Sequence, residues 1–198
     1  MKMQVGDGTL LRILNNNAIM VDTGSGRLIL LGRGIGFSRK LGDPIGLDIA
    51  DEIFYPSGSA GLRQLADFVS EIPIESFEVA RQAVALAESM AGIRPSQALL
   101  LSIADHLHFA VRRTQEGITV DYPLKWEISQ LYPKELTLGH AVVETARSRL
   151  GVDLADDESA AFAMHFVNAQ FARADVSDTV AMTESLSQII GVVSAGLG

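Results

Sequence analysis

Apolar positions in the first quarter of the chain come in short runs separated by turn-forming residues. Leu10-Leu11-Arg12-Ile13-Leu14 leads into Asn15-Asn16-Asn17, Ala18 to Val21 into Asp22-Thr23-Gly24-Ser25-Gly26, and Leu28 to Leu31 into Gly32-Arg33-Gly34. Such runs, bounded by Asn, Asp and Gly, read as strands joined by hairpins. Asp43-Pro44 marks a further turn, and Ile45 to Phe54 supplies one more short strand or an end segment. A sheet of about 55 residues sits at the margin for independent folding, so self-association into a dimer is a physical expectation.

After Pro56 the pattern changes. Ser57-Gly58-Ser59-Ala60-Gly61 has the composition of a linker, and beyond it apolar residues recur with helical period. The spacing predicts helices over Leu62–Ser70, Ser76–Ala91, Pro95–Gln115, Pro123–Tyr132, Glu135–Leu150 and Asp157–Ala172, broken at Pro73, Gly92, Gly117, Pro133 and Gly151. A last amphipathic stretch, Thr183–Val193, has no partner of comparable length and reads as the first helix of a further unit. The expected fold class is therefore multidomain α and β: a small antiparallel β-sheet domain over 1–56, a linker over 57–64, an all-α helical bundle over 65–178, and the start of another domain over 179–198.

Charge sharpens this division. The chain as a whole carries −8, yet residues 1–42 hold six Lys/Arg against two Asp/Glu, a net of +4, and the remaining 156 residues a net of −12. A small basic module joined to a larger acidic one suits a nucleic-acid reader with a regulatory partner domain. With 47% hydrophobic residues the chain can build a core, which argues against general disorder. The absence of cysteine excludes disulfides, thiolate nucleophiles and Cys-based zinc sites, and fits a reducing compartment. Met1 to Asp7 has no apolar signal region, and the longest apolar runs, Leu28 to Leu31 and Ala98 to Leu101, are too short to cross a bilayer. A cytoplasmic location without membrane insertion is expected.

Taken singly, the candidate chemical groups are ambiguous. Gly32-Arg33-Gly34-Ile35-Gly36 lacks the Lys-Ser/Thr ending and following helix of a phosphate loop, and reads alone as a bulge or tight turn. Asn triplets are ordinarily hairpin turns, and Phe37 in a strand context is by default a core residue. His106 shares a helical stripe with Leu99, Ile103 and Ala110 and so faces the bundle or an interface. His108 points about 200° away, so the two cannot chelate one metal. His165 lies between Phe162 and Asn168, with Glu158 two turns earlier on the same face. An enzyme built from His106, His165, Glu158 and Asp105, as a metal or acid-base site, is one alternative. It is disfavoured because adjacent residues of one helix, such as Asp105 and His106, point about 100° apart.

Several strings occur together in order: Leu14-Asn15-Asn16-Asn17, Gly32-Arg33-Gly34-Ile35-Gly36-Phe37, Gly42-Asp43, Asp105-His106-Leu107-His108-Phe109-Ala110, Pro123-Leu124-Lys125-Trp126-Glu127-Ile128, Tyr132-Pro133-Lys134-Glu135, and the run from Asp157 to Ala169 containing His165-Phe166-Val167-Asn168. In this combination the chain closely resembles the BglG/LicT-type transcriptional antiterminators of bacteria, which join a CAT RNA-binding domain to PTS regulation domains (PRDs). The resemblance covers about residues 10–172. It departs from the family in carrying one complete PRD where two are usual, and in the nine residues that precede the first strand.

The resemblance implies a symmetric dimer of small sheets that grips an RNA hairpin across its internal loops, with contacts from Arg12, Asn17, Gly32, Arg33 and Phe37. The residue types suit that role. Arginines neutralise phosphates or stack on bases, Asn17 offers a donor and an acceptor to a base edge, Phe37 offers a stacking platform, and Gly32 allows close backbone approach. It also implies that His106 and His165 accept phosphoryl groups from the sugar phosphotransferase system, with the sugar permease (enzyme II) and the phosphocarrier HPr as donors. His108 and His140 have no such match and are expected to be structural or surface residues. No cofactor, no metal and no enzymatic turnover are implied. Moving an equilibrium from 1:99 to 99:1 takes about 5.5 kcal/mol, and two unit charges 4 Å apart in an effective dielectric near 20 interact by about 4 kcal/mol. A doubly charged phosphoryl group at a dimer interface is therefore strong enough to open it. The remaining alternative, a PRD-containing DNA-binding activator, needs a helix-turn-helix where this chain shows strands.

Overall fold

The computed structural model describes residues 7–56 and 58–171. The expected helix over Thr183–Val193, and the 179–198 segment with it, lie outside the described residues. Five antiparallel strands, β1 (Asp7–Asn15), β2 (Ala18–Asp22), β3 (Arg27–Leu31), β4 (Pro44–Gly46) and β5 (Glu52–Phe54), form one sheet in the order β4-β1-β2-β3-β5. The β1–β2 hairpin closes through Asn16 and Asn17, where the Asn15 side-chain carbonyl accepts a 2.7 Å hydrogen bond from the Asn17 amide. The β2–β3 turn closes on a 3.0 Å bond from Thr23 N–H to the Gly26 carbonyl.

Strict alternation along β1 would place Leu10, Arg12 and Leu14 on one face. The register instead shifts between Leu10 and Arg12 and again between Ile13 and Asn15. These irregularities send Leu10 and Ile13 to one side and Leu11 and Leu14 to the other, while Arg12 reaches solvent. The single strand or end segment expected within Ile45 to Phe54 is two strands on opposite edges of the sheet. A 3₁₀ turn over Leu47–Ile49 carries the chain between them.

Both faces of the sheet are apolar. Leu10, Ile19, Val21 and Leu30 close with Ile35 and Ile45 into a core of their own. The other face, Ala18, Met20, Ile29, Leu31 and Phe54, packs on Leu62, Ala66, Val69 and Phe77 of the helices. The burial that a sheet of this size lacks by itself is thus partly supplied within the chain.

Six helices follow: α1 (Gly58–Glu71), α2 (Ile74–Ala91), α3 (Gln97–Gln115), α4 (Lys125–Leu131), α5 (Pro133–Leu150) and α6 (Glu158–Phe171). Five start within two residues of their predicted positions. The exception is α1, which is helical from Gly58 through most of the stretch expected as a linker. Leu62, Ala66 and Val69, buried against the sheet, anchor the helix, and it extends backward from that contact. The Ser96 hydroxyl caps α3 by accepting from Leu99 N–H at 3.2 Å, and Gly92 and Gly151 end α2 and α5 in the left-handed conformation.

Helices α5 and α6 approach closely at Gly139, where an added Cβ would strike the Ser159 carbonyl. That carbonyl is helix backbone and cannot swing aside. Gly139→Ala is expected to cost about 1–3 kcal/mol of stability, read as a lowered denaturant midpoint. An unchanged midpoint would contradict the packing described.

Candidate functional site

Two groups of candidate residues stand at different places in the fold. The first lies at one end of the sheet, where the loop after β3 folds against the β1–β2 turn. Gly32 N–H donates to the Asn17 carbonyl at 2.9 Å, Gly34 N–H to the Asn17 side-chain carbonyl at 2.8 Å, and Gly36 N–H to the Asn16 carbonyl at 2.9 Å. Asn17, Gly32, Arg33 and Phe37 are thereby brought together on a backbone held by hydrogen bonds. Arg12 is exposed on β1, the strand that enters the turn.

Phe37 is 70% exposed, against the default for an aromatic in a strand context, because Ile35 takes the core position of this loop. Leu41 is also 70% exposed, next in sequence to Arg39 and Lys40. Gly32 is buried, and a Cβ there would press on the Ile49 carbonyl at 3.2 Å, so the close approach seen at this glycine is to the chain's own backbone.

Arg33 is paired in a way that the sequence did not announce. Its Nη2 and Nε donate to Glu78 Oε1 at 2.6 and 3.2 Å, and its Nη1 stands 3.5 Å from Glu75 Oε1. Both carboxylates belong to α2.

The second group is inside the helical bundle. His106 on α3 and His165 on α6 stand with ring centroids 5.2 Å apart, and Phe162 meets the His106 ring edge-on at 4.7 Å. Glu158 is 5% exposed and accepts three hydrogen bonds when the His106 ring carries its proton on Nε2. These come from His106 Nε2 at 2.8 Å, Arg113 Nη2 at 2.8 Å and Tyr122 OH at 2.7 Å. The carboxylate therefore ties the first turn of α6 to α3 and to the loop before α4, and serves His106 although its sequence position suggested His165.

Burial alone would push the Glu158 carboxyl up, but the hydrogen bonds from His106, Arg113 and Tyr122 outweigh it and hold the group at about 2. His165 is held down at about 4 by burial and then by the neighbouring His106. Tyr122 is pushed up, first by burial and then by its bond to Glu158.

With its value held low by burial, His165 keeps an unprotonated ring nitrogen available as a nucleophile at neutral pH, beside the ionised Glu158 network. His165 also lines an open pocket of about 410 Å³ with Arg94, Ser102 and Asn168, which gives a reaction partner access to this end of the site. Asp105 stays apart from the cluster; burial raises its carboxyl, partly offset by His108 and His106. Among the described residues no group of three or more His, Asp or Glu is arranged to hold a metal ion. Sequence reading missed Arg113 and Tyr122. Arg113 was visible in principle, two turns after His106 on the same stripe; Tyr122 sits on a loop that no periodicity reaches.

Comparison with known proteins fits these two groups. Residues 9–60 match the family model of the CAT RNA binding domain, and residues 76–169 that of the PRD domain. The chain is 33% identical over 183 residues to a beta-glucoside operon antiterminator of Dickeya chrysanthemi, covering 92% of this chain and 64% of that protein. It is 28% identical over 183 residues to the transcription antiterminator LicT of Bacillus subtilis (strain 168), covering 92% of this chain and 66% of LicT. The chain thus spans about two thirds of the length of these relatives. The crystal structure of GlcT CAT-PRDI shares its fold with a TM-score of 0.67 at 23% identity, over 83% of this chain and 98% of that one. The class is therefore a CAT RNA binding domain followed by a PRD domain. Over both domains the chain is similar to these antiterminators.

The buried His165 carries a pH signature. Because the His165 value in the fold lies below its ordinary 6.5, the unfolded chain binds more protons between the two values. Stability is fully present above about 6.5 and is lost as pH falls toward about 4, with a slope approaching 1.4 kcal/mol per pH unit in the middle of that window. Thermal unfolding followed across pH should show this loss in the wild type and a flatter profile in His165→Asn. Equal profiles would contradict the assigned burial.

Proposed function

We propose that this chain acts as an RNA-binding transcriptional antiterminator of a sugar-utilisation operon, or as the RNA-binding and first regulatory portion of one. The observation that carries this reading is the loop over Gly32–Phe37. A rigid backbone presents an exposed aromatic ring and an exposed guanidinium beside Asn17, in the most basic part of an otherwise acidic chain. Exposed rings on ordered loops are stacking platforms for unpaired bases, and guanidinium groups are phosphate or base ligands. Arg12, Asn17, Gly32, Arg33 and Phe37 are the residues we assign to the RNA, Gly32 through its backbone alone. Two relatives carry antitermination in their names, one of them a beta-glucoside operon antiterminator.

In this reading the partner is an RNA hairpin held by a homodimer in the cytoplasm, and the bound hairpin excludes a terminator. We divide the chain into an RNA-binding unit over 1–56, a connection over 57–64, a PRD over 65–178 and the beginning of a second regulatory domain over 179–198. His106 and His165 are the phosphoryl acceptors. An unprotonated ring nitrogen attacks the phosphorus of the donor's phosphoryl group; the N–P bond forms as the phosphorus–donor bond breaks, and the electron pair leaves with the donor. Enzyme II of the permease, and HPr, supply that group. The added negative charge would lie in or beside the cluster that contains the buried Glu158 carboxylate, and repulsion there would drive rearrangement of α3 against α6. The protein is a receiver of phosphate, not a catalyst of turnover.

Fluorescence anisotropy with an RNA stem-loop carrying two internal loops, beside a DNA duplex of equal length, tests this. Stem-loop preference is expected, with about tenfold or greater loss in Phe37→Ala and in Arg33→Ala. Preference for the duplex would favour the DNA-binding activator, and unchanged affinity in both variants would remove these residues from the RNA surface.

A further inference from the structure

The seam between sheet and helices is stitched by polar contacts as well as by the core. Asn15 Nδ2 donates to the Ser70 carbonyl at 3.1 Å, Gln97 Nε2 donates to the Ile53 carbonyl at 2.6 Å, and Arg81 stands 3.6 Å from Asp51. One further contact has a different character, because it engages a side chain assigned above to the RNA. Arg33 reaches from the loop after β3 to Glu78 and Glu75, which stand at positions i and i+3 on the exposed face of α2 and so present their carboxylates side by side.

We propose that Glu75 and Glu78 act as an intramolecular surrogate for the RNA backbone, an autoinhibitory clamp on Arg33 that the transcript must displace. The inference rests on the reading of Arg33 as an RNA contact. Carboxylate and phosphate are interchangeable partners for a guanidinium, each taking its N–H groups in parallel pairs. Arg33 already gives Nε and Nη2 to Glu78 and turns Nη1 toward Glu75, so the fork that would meet a phosphate is in use. Its side chain remains 61% exposed, so a ligand can approach while the clamp is closed.

The clamp is also placed to be regulated. Helix α2 packs against α3, which carries His106, so the carboxylates stand one helix away from the proposed phosphoryl acceptor. A shift of α3 on modification has a short route to Glu75 and Glu78.

Apparent affinity falls by the fraction of molecules in which the binding-competent state is free. Exposed or half-exposed ion pairs are individually weak, so the clamp should lower RNA affinity by about three- to tenfold and not abolish it.

A thermodynamic cycle on the full chain tests the proposal, using anisotropy of one labelled RNA stem-loop with two internal loops at fixed salt. The proteins are the wild type, E75Q/E78Q, R33A and R33A/E75Q/E78Q. The expected result is a three- to tenfold tighter complex for E75Q/E78Q, a weaker one for R33A, and no gain from the glutamine changes once Arg33 is absent. If the glutamines tighten binding equally in the R33A background, the gain is a general effect of reduced negative charge and the clamp is overturned. If R33A weakens binding but E75Q/E78Q matches the wild type, the clamp is overturned while the RNA reading stands. If R33A binds as the wild type does, or no protein binds the stem-loop, the RNA reading fails and the clamp fails with it.

Discussion

Phe54 of the last strand and Phe77 of α2 meet with ring centroids 6.2 Å apart, both fully buried, in the seam where the sheet lies on the helices. Everything else in the structure depends on that seam. A sheet of this size holds one modest core of its own around Ile19, Leu30 and Ile45, which is marginal for independent stability. Its second apolar face gains its stabilisation from α1 and α2, so the loop that carries Arg33 and Phe37 is rigid only as far as the helices hold the sheet. The proposed RNA surface and the stability of the sheet thus depend on one interface.

The bundle adds a second constraint of a different kind. A buried carboxylate is costly unless its partners are complete, and Glu158 has donors from three elements: His106 from α3, Arg113 one stretch further along the same helix, and Tyr122 from the following loop. Any modification of the His106 ring perturbs the three-donor network on Glu158, and α6, with His165, is attached directly to it. In the proposed modification, a local change of charge at His106 would act directly on the contact between α3 and α6. The ion pairs of Arg33 with α2 extend the same logic toward the sheet.

Much of this organisation was legible in the chain. Asn, Asp and Gly clusters bound β1, β2 and β3 because hairpin turns demand those residues, and Gly or Pro ends the helices for equally local reasons. The pairing of His106 with the bundle interior followed from its stripe with Leu99, Ile103 and Ala110. What could not be read was set by contacts between distant positions. The pieces Pro44–Gly46 and Glu52–Phe54 are too short to carry a period, and only their edges in the sheet make them strands. Arg33 and Glu78 are separated by 45 positions, and nothing local couples them. Glu158 was visible on the face of His165, but its bond to His106 depends on how α6 lies against α3. Gly58 to Gly61 has a linker's composition yet belongs to a helix, because burial of Leu62, Ala66 and Val69 overrides local preference.

Scanning calorimetry of the intact chain tests most directly whether sheet and helices are one cooperative body. The account predicts a single transition whose calorimetric and van't Hoff enthalpies agree, and a shift of that whole transition to lower temperature in Phe54→Ala, which removes about 3–5 kcal/mol of packing from the seam. Two separable transitions in the wild type, with Phe54→Ala moving one and leaving the other in place, would contradict it.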